Sequence, residues 1–234
     1  MWIRYRALIL YIGITMVFLL AVIVPHSIAN SKTTSKKPRL SPIDEASKNY
    51  EFQKFREQIQ IAVANKDLEF IKEHIDKNIK NTFGGNDGVE EFLEQWKLHA
   101  NPEKSSLWYE LGEVLRLGGT FSNKEKSSFI APYVHSTFPD NCDPFTYGAI
   151  VGKNVNLRVK PGTDSEDITK LTHDIVEIID HGQDTNGWRK IKLANGTKGY
   201  VAKRYLRSPI DYRGEFSKSK VDGIWRLTIF VAGD

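Results

Sequence analysis

The chain has 234 residues, 26% of them charged and 40% hydrophobic, and a formal net charge of +4. That length admits one large or two small domains, and the composition is that of an ordinary globular protein. The basic excess is too small to mark a nucleic-acid binder, and no nucleic-acid motif is present.

At the N-terminus, Arg4 and Arg6 precede an uncharged, almost wholly apolar run over residues 7–24. Pro25 ends the run and Ser27-Ile28-Ala29 follows. This is the charged, apolar, small-residue layout of a secretory leader. The run also approaches the roughly 20 residues that span a bilayer. Two readings stay open: residues 1–29 are a cleaved signal peptide, or they are a membrane anchor held through residues 7–24, with Arg4 and Arg6 inside. Both put residues 30–234 outside the cytoplasm, in the periplasm or cell envelope. Cys142 is the only cysteine, so the fold relies on its core and not on an internal disulfide. Residues 30–44 are polar and basic, with few large apolar side chains, and read as a flexible linker.

Helical periodicity follows. Phe52, Phe55, Ile59, Ala62 and Val63 form one stripe, and Asp67 is placed to cap a second helix that carries Leu68, Ile71, Ile75 and Ile79. Gly84-Gly85 is expected to end that helix. Asp87 is expected to cap a third, with Val89, Phe92, Leu93 and Trp96 on one face. A fourth starts near Ser105-Ser106, carries Leu107, Leu111, Val114 and Leu115, and stops at Gly118-Gly119. Strands are expected over residues 128–134, with Pro132 making that strand an edge, and over residues 147–151.

From residue 152 to 207, short apolar runs alternate with turn signals, as in a small barrel. The ordered set is Val155-Asn156-Leu157-Arg158, Pro161-Gly162, Asn186-Gly187-Trp188, Asn195-Gly196, Gly199-Tyr200-Val201 and Tyr205-Leu206. In this order and spacing, the segment resembles a bacterial SH3-like domain, with tyrosine at the middle of a Gly-Tyr-Val triplet where the family often has tryptophan. The resemblance implies a five- or six-stranded barrel of a kind found in exported bacterial proteins. Some of these barrels bind peptidoglycan peptides. Trp188, Tyr200 and Tyr205 are then the aromatics that either line a peptide groove or fill and cover the barrel. Arg158 either holds an anion or braces a loop carboxylate such as Asp164 or Asp167.

Residues 208–234 hold two further strands, and a two-stranded hairpin needs a sheet to join. The reading is therefore an α+β chain: residues 45–151 form a helix-rich α+β domain, residues 152–207 an inserted SH3-like barrel, and residues 208–234 a hairpin completing the first domain. Helices followed by a closing strand pair loosely resemble the nuclear transport factor 2-like fold.

No catalytic or metal constellation stands out. Cys142 lies between Asp140 and Asp143, which disfavour a thiolate, and the six histidines form no ligand pair. No cofactor is implied. The leading functional reading is a noncatalytic envelope protein that binds a peptidoglycan peptide or an envelope protein. Its rivals are an enzyme with a site in the α+β domain and a purely structural protein.

Overall fold

The computed structural model describes residues 38–180, 183 and 185–233. The proposed leader and most of the proposed linker lie outside these residues. Among the described residues, no helix is long and apolar enough to cross a membrane.

The Asn49 side chain accepts the backbone N–H of Glu51 and Phe52 and so starts helix α1 (Tyr50–Asn65). Lys66, with φ +56°, ends it in the left-handed region. Asp67 accepts the N–H of Phe70 and caps α2 (Leu68–Glu73), as the sequence predicts. That helix then stops six residues short of Ile79. Ile75 and Ile79 lie instead on strand β1 (Ile75–Lys80). A spacing of four residues returns to the same face of a strand as well as of a helix, and both isoleucines are buried. Asp87 does not cap the next helix. Its carboxylate accepts the N–H of Asn81, and Gly88 is the residue before α3 (Val89–Gln95). Helix α4 (Leu107–Arg116) begins where expected.

Next come β2 (Thr120–Phe121), β3 (Ser128–Ala131) and the short helix α5 (Tyr133–Ser136). Pro132 does not make β3 an edge. It falls just beyond the strand, which pairs on both sides. Strand β4 (Tyr147–Ile150) is followed by β5 (Val155–Arg158), β6 (Asp167–Leu171), β7 (Ile175–Ile178), β8 (Trp188–Lys192), β9 (Lys198–Ala202) and β10 (Leu206–Arg207). The chain closes with β11 (Arg213–Lys218) and β12 (Trp225–Val231).

The fold is mixed α+β with two sheets. One has the order β1-β12-β11-β3-β2, with β1 parallel to β12 and the other pairs antiparallel. It therefore takes strands from before and after the barrel in sequence. The other sheet has the order β10-β4-β7-β8-β9-β5-β6 and is antiparallel throughout. β4 departs from the expected partition: the sequence places it with the α+β domain, yet it sits between β10 and β7 of the barrel sheet.

The first sheet and its helices share an aromatic core. The Phe52 ring lies 4.3 Å from that of Phe129 and 4.7 Å from that of Trp225, and Phe92, Phe216 and Phe230 are fully buried around them. The barrel core is aliphatic throughout: Ile150, Val155, Leu157, Leu171, Val176, Ile191, Leu193, Val201 and Leu206. A third cluster joins the two, built from Leu40, Leu117, Tyr133, Val134, Ala149 and Ile175. Leu40 belongs to the segment expected to be a linker. It is tied down because Ile175 donates its N–H to Pro38 O at 2.9 Å, Leu40 donates to His173 O at 2.8 Å, and Arg39 pairs with the buried Asp174.

Candidate functional site

In β5, Val155 and Leu157 point into the barrel, so Asn156 and Arg158 between them face outward. The same alternation in β8 buries Ile191 and leaves Trp188 half-buried on the outer face. Asn186 and Gly187, with φ of +52° and +80°, make the two-residue turn bounded by the Thr185–Trp188 bridge, which places Trp188 at the start of β8. Gly199 is required by a close approach: a Cβ there would sit 2.8 Å from Arg158 O. That approach is where β9 pairs with β5.

These features open a cleft of 440 Å³ on the outside of the barrel, between the 159–166 loop, the Asn186-Gly187 turn and the 3-10 turn Lys203–Tyr205. Trp188 and Tyr205 supply its aromatic surface, and Asn154, Asn156 and Asn186 supply amides. Lys153, Arg158 and Arg204 bring positive charge, and no carboxylate lines the cleft among the described residues. The Arg204 guanidinium lies over the Tyr205 ring, 4.9 Å from its centre.

The structure thus brings together three of the four residues singled out from the sequence. Tyr200 is the exception. It sits opposite Arg158 and Lys190 in the sheet, outside the cleft, with Lys190 Nζ 5.7 Å from its ring centre. None of the three aromatics belongs to the barrel core. Arg158 lines the cleft, but its charge is committed: it pairs with Asp167 at 2.8 Å and donates to Ser165 O. This is the loop brace the sequence offered as one alternative. Arg189 is a second brace, donating twice to Asp180 at 2.9 Å.

Sequence reasoning missed Lys153, Asn154, Asn156 and Arg204. The alternation of β5 carried a signal for Asn156, between inward Val155 and Leu157, but not for Asn154, which precedes the strand with φ +55°. Lys153 and Arg204 lie in connecting segments where no periodicity points to a face.

Residues 153–207 match the family model of the bacterial SH3 domain. The chain carries a bacterial SH3 domain. No curated protein matches the chain. Strand β4 lies outside the matched residues but pairs within the SH3 sheet, so the domain is locked to the preceding segment by backbone hydrogen bonds. The cleft is built from the 153–163, 186–188 and 202–205 segments of the SH3 domain alone.

The other candidates from the sequence do not converge. The Cys142 thiol has Asn141 Oδ1 as its hydrogen-bond partner at 3.8 Å, while His135 Nδ1 faces Pro209 O at 3.1 Å. Burial pushes the His135 pKa down, and neighbouring Arg213 adds to the effect. Among the described residues, no three or more His, Cys, Asp or Glu side chains are grouped so that they could hold a metal ion.

Proposed function

We propose that this is an exported, noncatalytic envelope protein whose SH3 domain holds a peptide in the cleft formed by Trp188 and Tyr205. The observation that carries the reading is that the barrel fills its core with aliphatic side chains and leaves its aromatics outside. An exposed aromatic surface flanked by asparagine amides suits a peptide, whose side chains pack on the rings while its backbone meets the amides. A wall peptide or a segment of an envelope protein is the proposed occupant. Export rests on the charged-apolar-small layout of residues 1–29. We read the helical domain as a nuclear transport factor 2-like host that carries the barrel.

The test is retention of the full-length protein on purified peptidoglycan. Wild type is retained and Trp188→Ala is not; wild type passing through unretained excludes wall binding. Alkaline phosphatase fused after residue 44 is expected to be active, since it folds only outside the cytoplasm. An inactive fusion excludes export.

A further inference from the structure

We propose that the SH3 cleft selects a peptide carrying a free carboxylate, and that Lys153 and Arg204 hold it. This rests on the peptide reading above and names the chemistry of the occupant. The whole chain is nearly balanced, with 33 basic and 29 acidic residues, so composition alone does not charge this cleft. Three cations line it and no carboxylate does among the described residues.

The three cations are not equivalent. Arg158 already has Asp167 at 2.8 Å and the Ser165 carbonyl, so its charge is neutralised within the protein. Lys153 is exposed and has no ion-pair partner among the described residues. Arg204 is exposed, lies over the Tyr205 ring at 4.9 Å from its centre, and has no ion-pair partner among the described residues, so its N–H groups are open to an acceptor.

Arg204 also borders a second cleft, of 380 Å³, that contains Glu110, Glu113 and Asp211. Those carboxylates have other partners. Glu113 takes two hydrogen bonds from Arg116, at 2.8 and 2.6 Å. Glu110 and Asp211 lie 3.9 and 3.8 Å from the buried guanidinium of Arg207. Trp188 and Tyr205 line the same cleft as the two uncommitted cations, so one ligand can place an apolar side chain on the rings and a carboxylate at Lys153 and Arg204.

The test uses the immobilised full-length protein and three pools of random hexapeptides lacking Asp and Glu. One has a free C-terminal carboxylate, one is the C-terminal amide, and one is the amide with a single added Glu. Retained peptides are quantified by mass spectrometry. At least one carboxylate pool is expected to be retained about tenfold over the neutral amide, the worth of roughly one charge-assisted hydrogen bond. Which pool is retained says whether the carboxylate is terminal or on a side chain. The preference is expected to disappear in the Lys153→Gln, Arg204→Gln double variant, whose exposed positions leave the fold intact. Equal retention of charged and neutral pools that Trp188→Ala still abolishes overturns carboxylate selection and leaves the peptide reading standing. Absence of any Trp188-dependent retention overturns both.

Discussion

The two cores of this molecule are built from different side chains. The helical domain packs phenylalanine and tryptophan rings against one another, and the SH3 barrel packs only valine, isoleucine and leucine. A small barrel has little interior volume, and branched aliphatics fill it without the polar N–H or O–H that a buried tryptophan or tyrosine must satisfy. The difference teaches that an aromatic residue means opposite things in the two regions: Phe52 holds the fold together, while Trp188 sits outside it.

The largest expected effect probes the aromatic core. Phe52→Ala removes a fully buried ring that meets five other rings and is expected to cost about 3–5 kcal/mol. Urea denaturation checks this, and a loss below about 1 kcal/mol would break the contrast. Leu157→Ala in the barrel core is expected to cost roughly 2–5 kcal/mol in the same assay.

Leu40→Ala tests what couples the two regions. Leu40 is buried in the cluster that joins them, so its loss is expected at the low end of that same ~2–5 kcal/mol range. It should also separate one thermal transition into two. A single unbroken transition would show that Leu40 does not link the cores. Trp188→Ala is expected to change stability by less than about 1 kcal/mol, because the side chain belongs to no core cluster, and to abolish peptide retention.

The smallest effects are electrostatic and have opposite signs. The Glu113 carboxyl is held below its ordinary value, chiefly by hydrogen bonds from Arg116. Its stabilisation is present above the unfolded carboxylate range and is lost as pH falls through the lowered folded value. The Glu110 carboxyl is pushed up, chiefly by burial, with Arg207 and Lys203 opposing and Asp211 and Glu113 adding to the rise. Protonated Glu110 therefore favours the fold, and that contribution is lost as pH rises through its raised value. Glu110→Gln is expected to raise the melting temperature slightly at neutral pH and to leave it unchanged in acid. Arg116→Ala is expected to lower it at neutral pH and to lose its effect in acid. Melting curves across pH 3–8 check both signs.

Legibility in the sequence followed the strength of local signals. The barrel strands were readable because Asn186-Gly187 and Asn195-Gly196 fix hairpins with residues that tolerate positive φ. Helix α1 was readable from its stripe. Ile75 and Ile79 were not, since their spacing fits a helix face and a strand face alike, and only pairing with β12 settles the choice. The partner of β4 was hidden for a similar reason: no local residue says which of two sheets a four-residue strand joins. Trp188, Tyr205 and Arg158 could be named as candidates, but that Arg158 is spent on Asp167 and that Arg204 lies over the Tyr205 ring are facts of the folded geometry.

The most direct test of the cleft is fluorine NMR of the full-length protein carrying 5-fluorotryptophan, titrated with soluble muropeptides. Trp96, Trp108 and Trp225 are buried in the helical domain, and Trp188 lines the cleft. The Trp188 resonance is expected to shift saturably while those three stay fixed. A titration that leaves Trp188 unmoved, or that shifts a tryptophan of the helical core instead, would contradict peptide binding in the cleft.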